Sequence, residues 1–514
     1  MSNLPQDLSD DVELARLLQK KRNYQAEREA LELRIKEIDY HIIDVQAEYG
    51  AIYNRRASVL KLPAEVTGMI FSCAVGHPME GDNEEGRHSQ VEIVVSHVCH
   101  QWRTISLAFP HLWASFCYDG PAAAHVPLDR LDAYLERSVS QPLELWLDCR
   151  DDEDEQFLVD NLVLMEKTLS HIARWKRVTV VSDSHTPLTD FISAIETASA
   201  PNLEYFTFCC DIPDDHKNEP IASLEPGIFT NGAPNLKSVM LDCSSYKCVP
   251  PLSNVSTLRL EAIIDNTSPF SWKTFREILS LPHLANFSIL GEIFEVPDNH
   301  TTVGLIAMNN LKHLRYSETG GMALLLPYFR APLLETLILQ NDALPEEFGA
   351  SAELYIFPSL RSVSLIEVTA TSPLVALHFA AITESATEIL FSQEDSDDTI
   401  FMTLLTAIPF SGPSYWTQVK LLTCNSPFQS HITQFITFAK PRSKNGVVLR
   451  IFSSLDEHWK DEYPDEYDEL TEACTIEAMD TEVNPLAAYS GWPPGDFNPV
   501  YLHDDEDPFY ISPF

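Results

Sequence analysis

Cys73, His77, His97, Cys99 and His100 form the densest group of metal-capable side chains in this sequence, and imidazole with thiolate is the donor set that suits zinc. Their spacing argues against such a site. His97, Cys99 and His100 are too crowded for two ligand pairs separated by a loop, and a helix would turn them toward different sides. The acidic run of Asp148 and 151–155 lacks the Asp-Gly spacing of a calcium loop and reads as solvated. The 10 cysteines contain no C-x-x-C, so they read as reduced core thiols. No phosphate loop, G-x-G-x-x-G, G-x-S-x-G elbow or H-E-x-x-H occurs, and the 17 histidines are dispersed. The expectation is a protein with no metal, no cofactor and no catalytic residues of its own, whose work is done by surfaces.

The elements that build those surfaces are bounded by composition. At 514 residues, with 45% hydrophobic and 22% charged residues, the chain is globular and long enough for about three units. Lys and Arg number 35 against 76 Asp and Glu, a formal net charge of -41, which opposes attachment to a phosphate backbone or an anionic membrane. Neither nucleic acid nor membrane is an expected partner. The N-terminus lacks a secretory apolar core, and no run of 18 apolar residues occurs, so an intracellular, cytoplasmic or nuclear protein is expected.

Between 14 and 59 there is no proline and one glycine, Gly50, which predicts a single long helix. A heptad register places Leu14, Lys21, Arg28, Ile35, Ile42, Tyr49 and Arg56 at a, and Leu17, Tyr24, Leu31, Ile38, Val45, Ile52 and Val59 at d. Eleven of these 14 positions are apolar, whereas Lys21, Arg28 and Arg56 would weaken a seam or fix its register. A homodimer through 14–59, folding back on the body and a solvated helix all remain open.

After the arm come LKLPAEVTGMIFSCAVGHP and, beyond a polar insert at 79–90, VVSHVCHQWRTISLAFPHLWASF. Pro63 ends one helix and suits the first turn of the next, on which Val66, Ile70 and Phe71 share a face. Val94, Val95, Val98, Trp102 and Ile105 repeat that spacing before Pro110. Such short helices make a poor core alone and leave apolar surface for a partner. Leu62, Pro63, Glu65, Ile70 and Phe71, then Val98, Cys99, Trp102 and Arg103, then Pro110, Leu112 and Trp113 resemble the L-P-x-E…I-F, V-C-x-x-W-R and P-x-L-W of the F-box. That resemblance implies docking onto a Skp-type adaptor, and through it a cullin, by Leu62, Pro63, Glu65, Ile70, Val98, Cys99, Trp102, Leu112 and Trp113. The insert at 79–90 lengthens the usual gap by about a dozen residues and reads as a solvated loop.

An apolar frame φ-x-x-φ-x-φ then recurs, starting at 175, 203, 236, 255, 284, 311, 334, 360, 386 and 416, at a mean spacing of about 27. Several copies share a lead-in: PNLEYF, PNLKSV, PHLANF, APLLET, PSLRSV. The alternating tail of each frame fits a strand with one buried face, and 272–281 has helical spacing. Strands near Leu143, Leu145 and Leu147 and a helix over 156–172 read as a leading cap. This region resembles the leucine-rich-repeat arm of many F-box substrate receptors, although the asparagine or cysteine expected three positions after each frame is matched only by Cys424. An irregular stack is expected; an ordinary parallel α/β domain is the alternative.

From 453 to 514 there are 17 acids and one base, Lys460, a composition that predicts a disordered, solubilising tail. The competing reading is a docking peptide anchored by Trp459, Tyr463, Tyr467, Trp492 and the terminal DPFYISPF, which could occupy the chain's own repeat face. The fold class expected is therefore α/β overall, with a coiled-coil-like helix at 10–60, an all-α F-box at 61–116, an irregular leucine-rich-repeat-like solenoid at 117–452 and an acidic disordered tail at 453–514. The whole resembles F-box proteins abundant in mushroom-forming fungi. The function this implies is target recognition for a Skp-cullin-F-box ubiquitin ligase acting in ubiquitin-dependent protein degradation, without catalysis in this chain. An interaction scaffold outside any ligase is the alternative.

Overall fold

The computed structural model describes residues 4–54, 56–75, 90–120, 125–150, 155–182, 188–210, 221, 223–242, 245, 248–261, 270–294, 304–317, 320–346, 355–392, 415–425, 431–479, 492–494 and 509. The chain divides into two compact units, Met1–Cys73 with Val94–Ser106, and Ala74–Ile93 with Leu107–Phe514.

The first unit begins with α1 (Leu4–Asn54), a single helix of 51 residues, about 75 Å long. It starts earlier than predicted because Pro5 is tolerated in a first turn. It also ends earlier, so Arg56 and Val59 fall outside the seam, and a short 3-10 turn, Ser58–Lys61, follows. Intrahelical pairs Glu13–Arg16, Arg28–Glu32 and Arg34–Glu37 line its surface. Every side chain from 11 to 49 is exposed. Three shorter helices follow in the sequence: α2 (Ala64–Val75), α3 (Val91–Val98) and α4 (His100–Leu107). Of the insert at 79–90, all but Gln90 lies outside the described residues.

The second unit is a parallel sheet of 14 strands. In sequence they are β1 (Ser115–Asp119), β2 (Leu143–Asp148), β3 (Trp175–Ser182), β4 (Tyr205–Cys210), β5 (Ser238–Asp242), β6 (Thr257–Glu261) and β7 (Asn286–Leu290). The series continues with β8 (His313–Ser317), β9 (Thr336–Leu344), β10 (Ser362–Ala370), β11 (Glu388–Ser392), β12 (Leu421–Asn425), β13 (Val448–Phe452) and β14 (Thr475–Met479). Helices α5 (Leu128–Arg137), α6 (Glu155–Leu169), α7 (Thr189–Glu196), α8 (Trp272–Leu279), α9 (Gly320–Leu325), α10 (Pro373–Ile382), α11 (Ile432–Ala439), α12 (Ser453–Glu462) and α13 (Pro464–Ala473) lie between them in sequence. Within this sheet each strand pairs with the next of the series and the described residues show no order reversal, while a separate two-stranded parallel pair joins Ile306–Ala307 to Phe329–Arg330. A doubly wound sheet reverses at a switch point; an unbroken sequential order instead stacks each repeat on the one before, as in a solenoid.

The apolar frames become the inner face of this sheet. Val178, Phe206, Val239, Leu258, Phe287 and Leu314 stand in one aligned row, and helices and loops pack on this face, with Phe191 of α7 stacked 6.2 Å from Phe208, Phe229 5.2 Å from Phe206 and Phe275 of α8 6.2 Å from Phe287. Ser271 caps α8 by accepting from the Thr274 amide at 3.2 Å. Before most strands the chain makes the same tight turn, for example Leu236 N to Ala233 O at 3.2 Å and Leu311 N to Met308 O at 3.3 Å.

An asparagine just before the first apolar position of a frame, as in P-N-L at 201–203 and 234–236, has a physical purpose here. Asn202, Asn235, Asn254 and Asn310 each donate from Nδ2 to a backbone carbonyl of the preceding repeat, at 2.6–2.9 Å. At these four positions asparagine ties neighbouring repeats together ahead of the strand rather than behind it.

Three boundaries differ from expectation. The last frame is Val419, Leu422 and Cys424, three residues on from the one starting at Trp416, because β12 pairs Leu422 with Ile389. The sheet starts at Ser115, ahead of 117. It also runs past 452, since 453–479 forms α12, α13 and β14 rather than a disordered tail. Charge counting missed this because the acids other than Asp456 occupy exposed or half-exposed positions while Leu455, Trp459, Leu470 and Ala473 are buried. Trp459 is therefore core, 5.3 Å from Phe435, and not an external anchor. The rest of the tail lies outside the described residues apart from 492–494 and 509.

Candidate functional site

In the first unit, Leu62 closes the short turn with its amide on Val59 O at 3.4 Å, and Pro63 opens α2, its carbonyl accepting from the Thr67 amide at 3.0 Å. The inward face of α2 carries Thr67, Gly68 and Phe71. Phe71 meets Trp102 edge to face at 4.9 Å, an aromatic contact at the centre of this small core. Cys99 sits at the break between α3 and α4, accepting the Trp102 amide on its sulfur at 3.4 Å and the Arg103 amide on its carbonyl at 2.9 Å. Gln101 Nε2 donates to Leu60 O at 2.9 Å, tying α4 to the turn before α2.

This arrangement separates the motif residues into two sets. Pro63, Glu65, Ile70 and Val98 are exposed; Leu62, Cys99 and Trp102 are half-buried. Around the exposed ones lie further uncovered apolar side chains: Val66 and Met69 on α2, and Val94, one turn before Val98 on α3. Met69 is 63% exposed and Val98 56%, so two short helices each hold a stripe of large apolar groups in water. Met69 escaped the sequence reading although its spacing, three residues after Val66 and next to Ile70, marks the same face.

Leu112 and Trp113 depart from the expected docking set. They belong to the second unit and are fully buried, Trp113 packing edge to face on Tyr134 at 5.2 Å with the Arg137 guanidinium 4.4 Å from its ring. Their role is to anchor α5 against the start of the sheet, not to touch a partner. Tyr134 OH in turn donates to Glu92, whose carboxyl burial pushes up from the usual carboxylate range.

The sheet face opposite the helices carries a second unusual cluster. Arg259, Ser288, Arg315, Ile338, Ser364 and Leu390 form one row across β6 to β11. Arg315 donates from Nη2 to Glu261 Oε1 at 2.9 Å and from Nε to Ser288 Oγ at 2.7 Å, while Ser288 Oγ donates to Glu261 Oε1 at 2.6 Å. The pair is buried on both sides. Sequence reasoning passed over these arginines, yet their place was readable: each fills the outward x between the last two apolar positions of a frame, as in T-L-R-L and H-L-R-Y.

Among the described residues no group of three or more His, Cys, Asp and Glu is placed to hold a metal ion. Cys73 is exposed, Cys99 half-buried, and His77 lies outside the described residues. None of the nine described cysteines is in a disulfide, and burial pushes the Cys117 thiol up to about 12, far from a reactive thiolate. No described helix is long and apolar enough to cross a membrane. No family model matches the chain, and no curated protein matches it.

Proposed function

We propose that this chain is the target-recognition subunit of a Skp-cullin-F-box type ubiquitin ligase, working in the cytoplasm or nucleus. The F-box-like segment docks a Skp-type adaptor and the sheet presents a protein target. The observation that supports this reading is the exposed apolar face of Val66, Met69, Ile70, Val94 and Val98, on the residues that resemble the F-box. Burying the remaining surface of each against a partner returns about 1 kcal/mol, so this face would supply part of the affinity of a larger interface. The chain's contribution is positional: it raises the local concentration of a target lysine beside a charged conjugating enzyme held elsewhere in the assembly.

A second copy of the chain is the proposed partner of α1. Ten of the 12 seam positions from Leu14 to Ile52 are apolar, and all of their side chains are exposed. A 3.5-residue repeat held this long favours a left-handed two-stranded coil.

Co-purification with a Skp-type adaptor tests the main reading. Wild type is expected to retain the adaptor, and Ile70→Asp/Val98→Asp to lose it while keeping its far-UV dichroism. A folded wild-type chain that captures no adaptor would leave the scaffold as the better account.

A further inference from the structure

The open face of a solenoid sheet normally meets water, yet here Arg259, Glu261 and Arg315 are almost fully buried along with Ile338, Ile366 and Leu390. What covers them comes from far along the chain. The Trp492 ring lies 5.3 Å from the Arg259 guanidinium and 4.6 Å from that of Arg315. On Arg315 the Phe509 ring lies at 4.3 Å. Arg259 Nη2 also donates to the backbone carbonyl of Trp492. Both rings join Ile338, Ile366 and Leu390 in one apolar cluster, with Trp492 2% and Phe509 7% exposed.

Each part of this contact has a recognition chemistry. Two guanidinium planes offer cation–π faces to aromatic rings, and desolvation strengthens each contact. The aliphatic wall takes the apolar edges of the rings, and the arginine donor reads a peptide carbonyl, which is independent of sequence. Residues 480–514 carry 7 acids and no Lys or Arg, so the segment's charge is opposite to that of the two arginines it meets. Arg315 is further fixed by Glu261 and Ser288, which hold its guanidinium in place before any ring arrives.

We propose that this row of β6 to β11 is a binding site for acidic peptide segments bearing aromatic residues, and that its resident occupant is the chain's own C-terminal segment, seated through Trp492 and Phe509. The tail is thus an intramolecular competitor. A target binding there must displace a segment held at an effective concentration on the order of millimolar by its short tether. The inference rests on the proposed reading only in taking this sheet as the target-binding part, and its test contains no adaptor, so the two fail separately.

Two measurements on the full chain decide it. Hydroxyl-radical footprinting of wild type is expected to modify Trp492 at least tenfold more slowly in the native state than in urea; equal rates overturn the proposal, whatever any variant does. A fluorescein-labelled synthetic peptide copying residues 488–514 is the second probe. It is expected to bind Trp492→Ala/Phe509→Ala at least tenfold more tightly than wild type, and to lose that gain when Arg259→Ala is added. Equal affinity for wild type and the double variant, or no binding by a double variant whose melting stays cooperative, overturns it.

Discussion

The two units invert the usual rule for what lies inside. In the first, Met69, Ile70, Val94, Val98 and the ten apolar seam residues of α1 stand in water. In the second, Arg259, Glu261 and Arg315 are buried, although each is charged. Neither pattern maximises the stability of the free chain. Apolar groups left out on well-formed helices mark a surface shaped for something else, whereas charges buried on a face that should be wet mark a surface already covered. The difference separates an uncovered apolar face, the proposed adaptor surface, from a polar face covered by Trp492 and Phe509.

The strongest way to break this contrast is at the buried pair. Arg315→Ala leaves the Glu261 carboxylate enclosed without its cation and is expected to cost about 3 to 5 kcal/mol in urea unfolding. Arg34→Ala, which removes the exposed Arg34–Glu37 pair of α1, is expected to cost no more than about 0.5 kcal/mol in the same assay. Replacing both buried partners, Glu261→Leu with Arg315→Met, should recover most of the loss because the enclosed carboxylate is removed together with its cation. A small effect of Arg315→Ala would show that water reaches the cluster and that the sheet face is open.

Much of this architecture was legible before any coordinates. The frames beginning at 175 through 386 fell on β3 to β11 because a half-buried strand writes its alternation directly into sequence. The helix at 272–281 and the long arm were legible for the same reason at a different period. Three features were not. The fold of 453–479 was hidden by averaging charge over a window that mixes an acidic outer face with a buried one. The true place of Trp113 was hidden because a motif gives residue type and spacing but not which side is covered. The Arg259, Glu261 and Arg315 cluster joins residues up to 54 positions apart to an aromatic 233 positions away, a separation no local pattern encodes. The exposed set of Ile70, Val98 and Pro63 was marked by the resemblance to the F-box and not by spacing, which put Ile70 on one face with the buried Phe71.

A smaller effect comes from Asp342 on β9. Burial raises its carboxyl from 3.8 to about 6, against a weaker opposing pull from the Ala343 amide that donates to Oδ1 at 2.8 Å. The native state therefore holds the proton more tightly than the unfolded chain. Between about pH 4 and pH 6 the native state binds more protons, so this group's contribution is full below pH 4, falls as pH rises through 6 and is constant above. The loss amounts to about 2 to 3 kcal/mol. Subtracting the stability profile of Asp342→Asn from that of wild type over pH 3.5 to 7.5 isolates it. A flat difference would mean that this end of the sheet is solvated, weakening the claim that the second unit encloses its polar groups.

The smallest effect on stability should come where the effect on assembly is largest. Ile70 and Val98 already spend about half of their surface in water, 47% and 56%, so replacing each by serine removes little that the fold has buried. Each substitution is expected to move the unfolding free energy by no more than about 0.5 kcal/mol. Against a Skp-type adaptor the same two changes delete apolar surface that the complex alone would cover, at about 1 to 1.5 kcal/mol apiece, and so weaken binding by about tenfold each. Phe71→Ala is the internal control, since its ring is buried on Trp102 and its loss should lower stability and binding together. If Ile70→Ser destabilised the chain as much as Phe71→Ala, the exposed face would be part of the core of the first unit, and the contrast with the covered sheet would disappear.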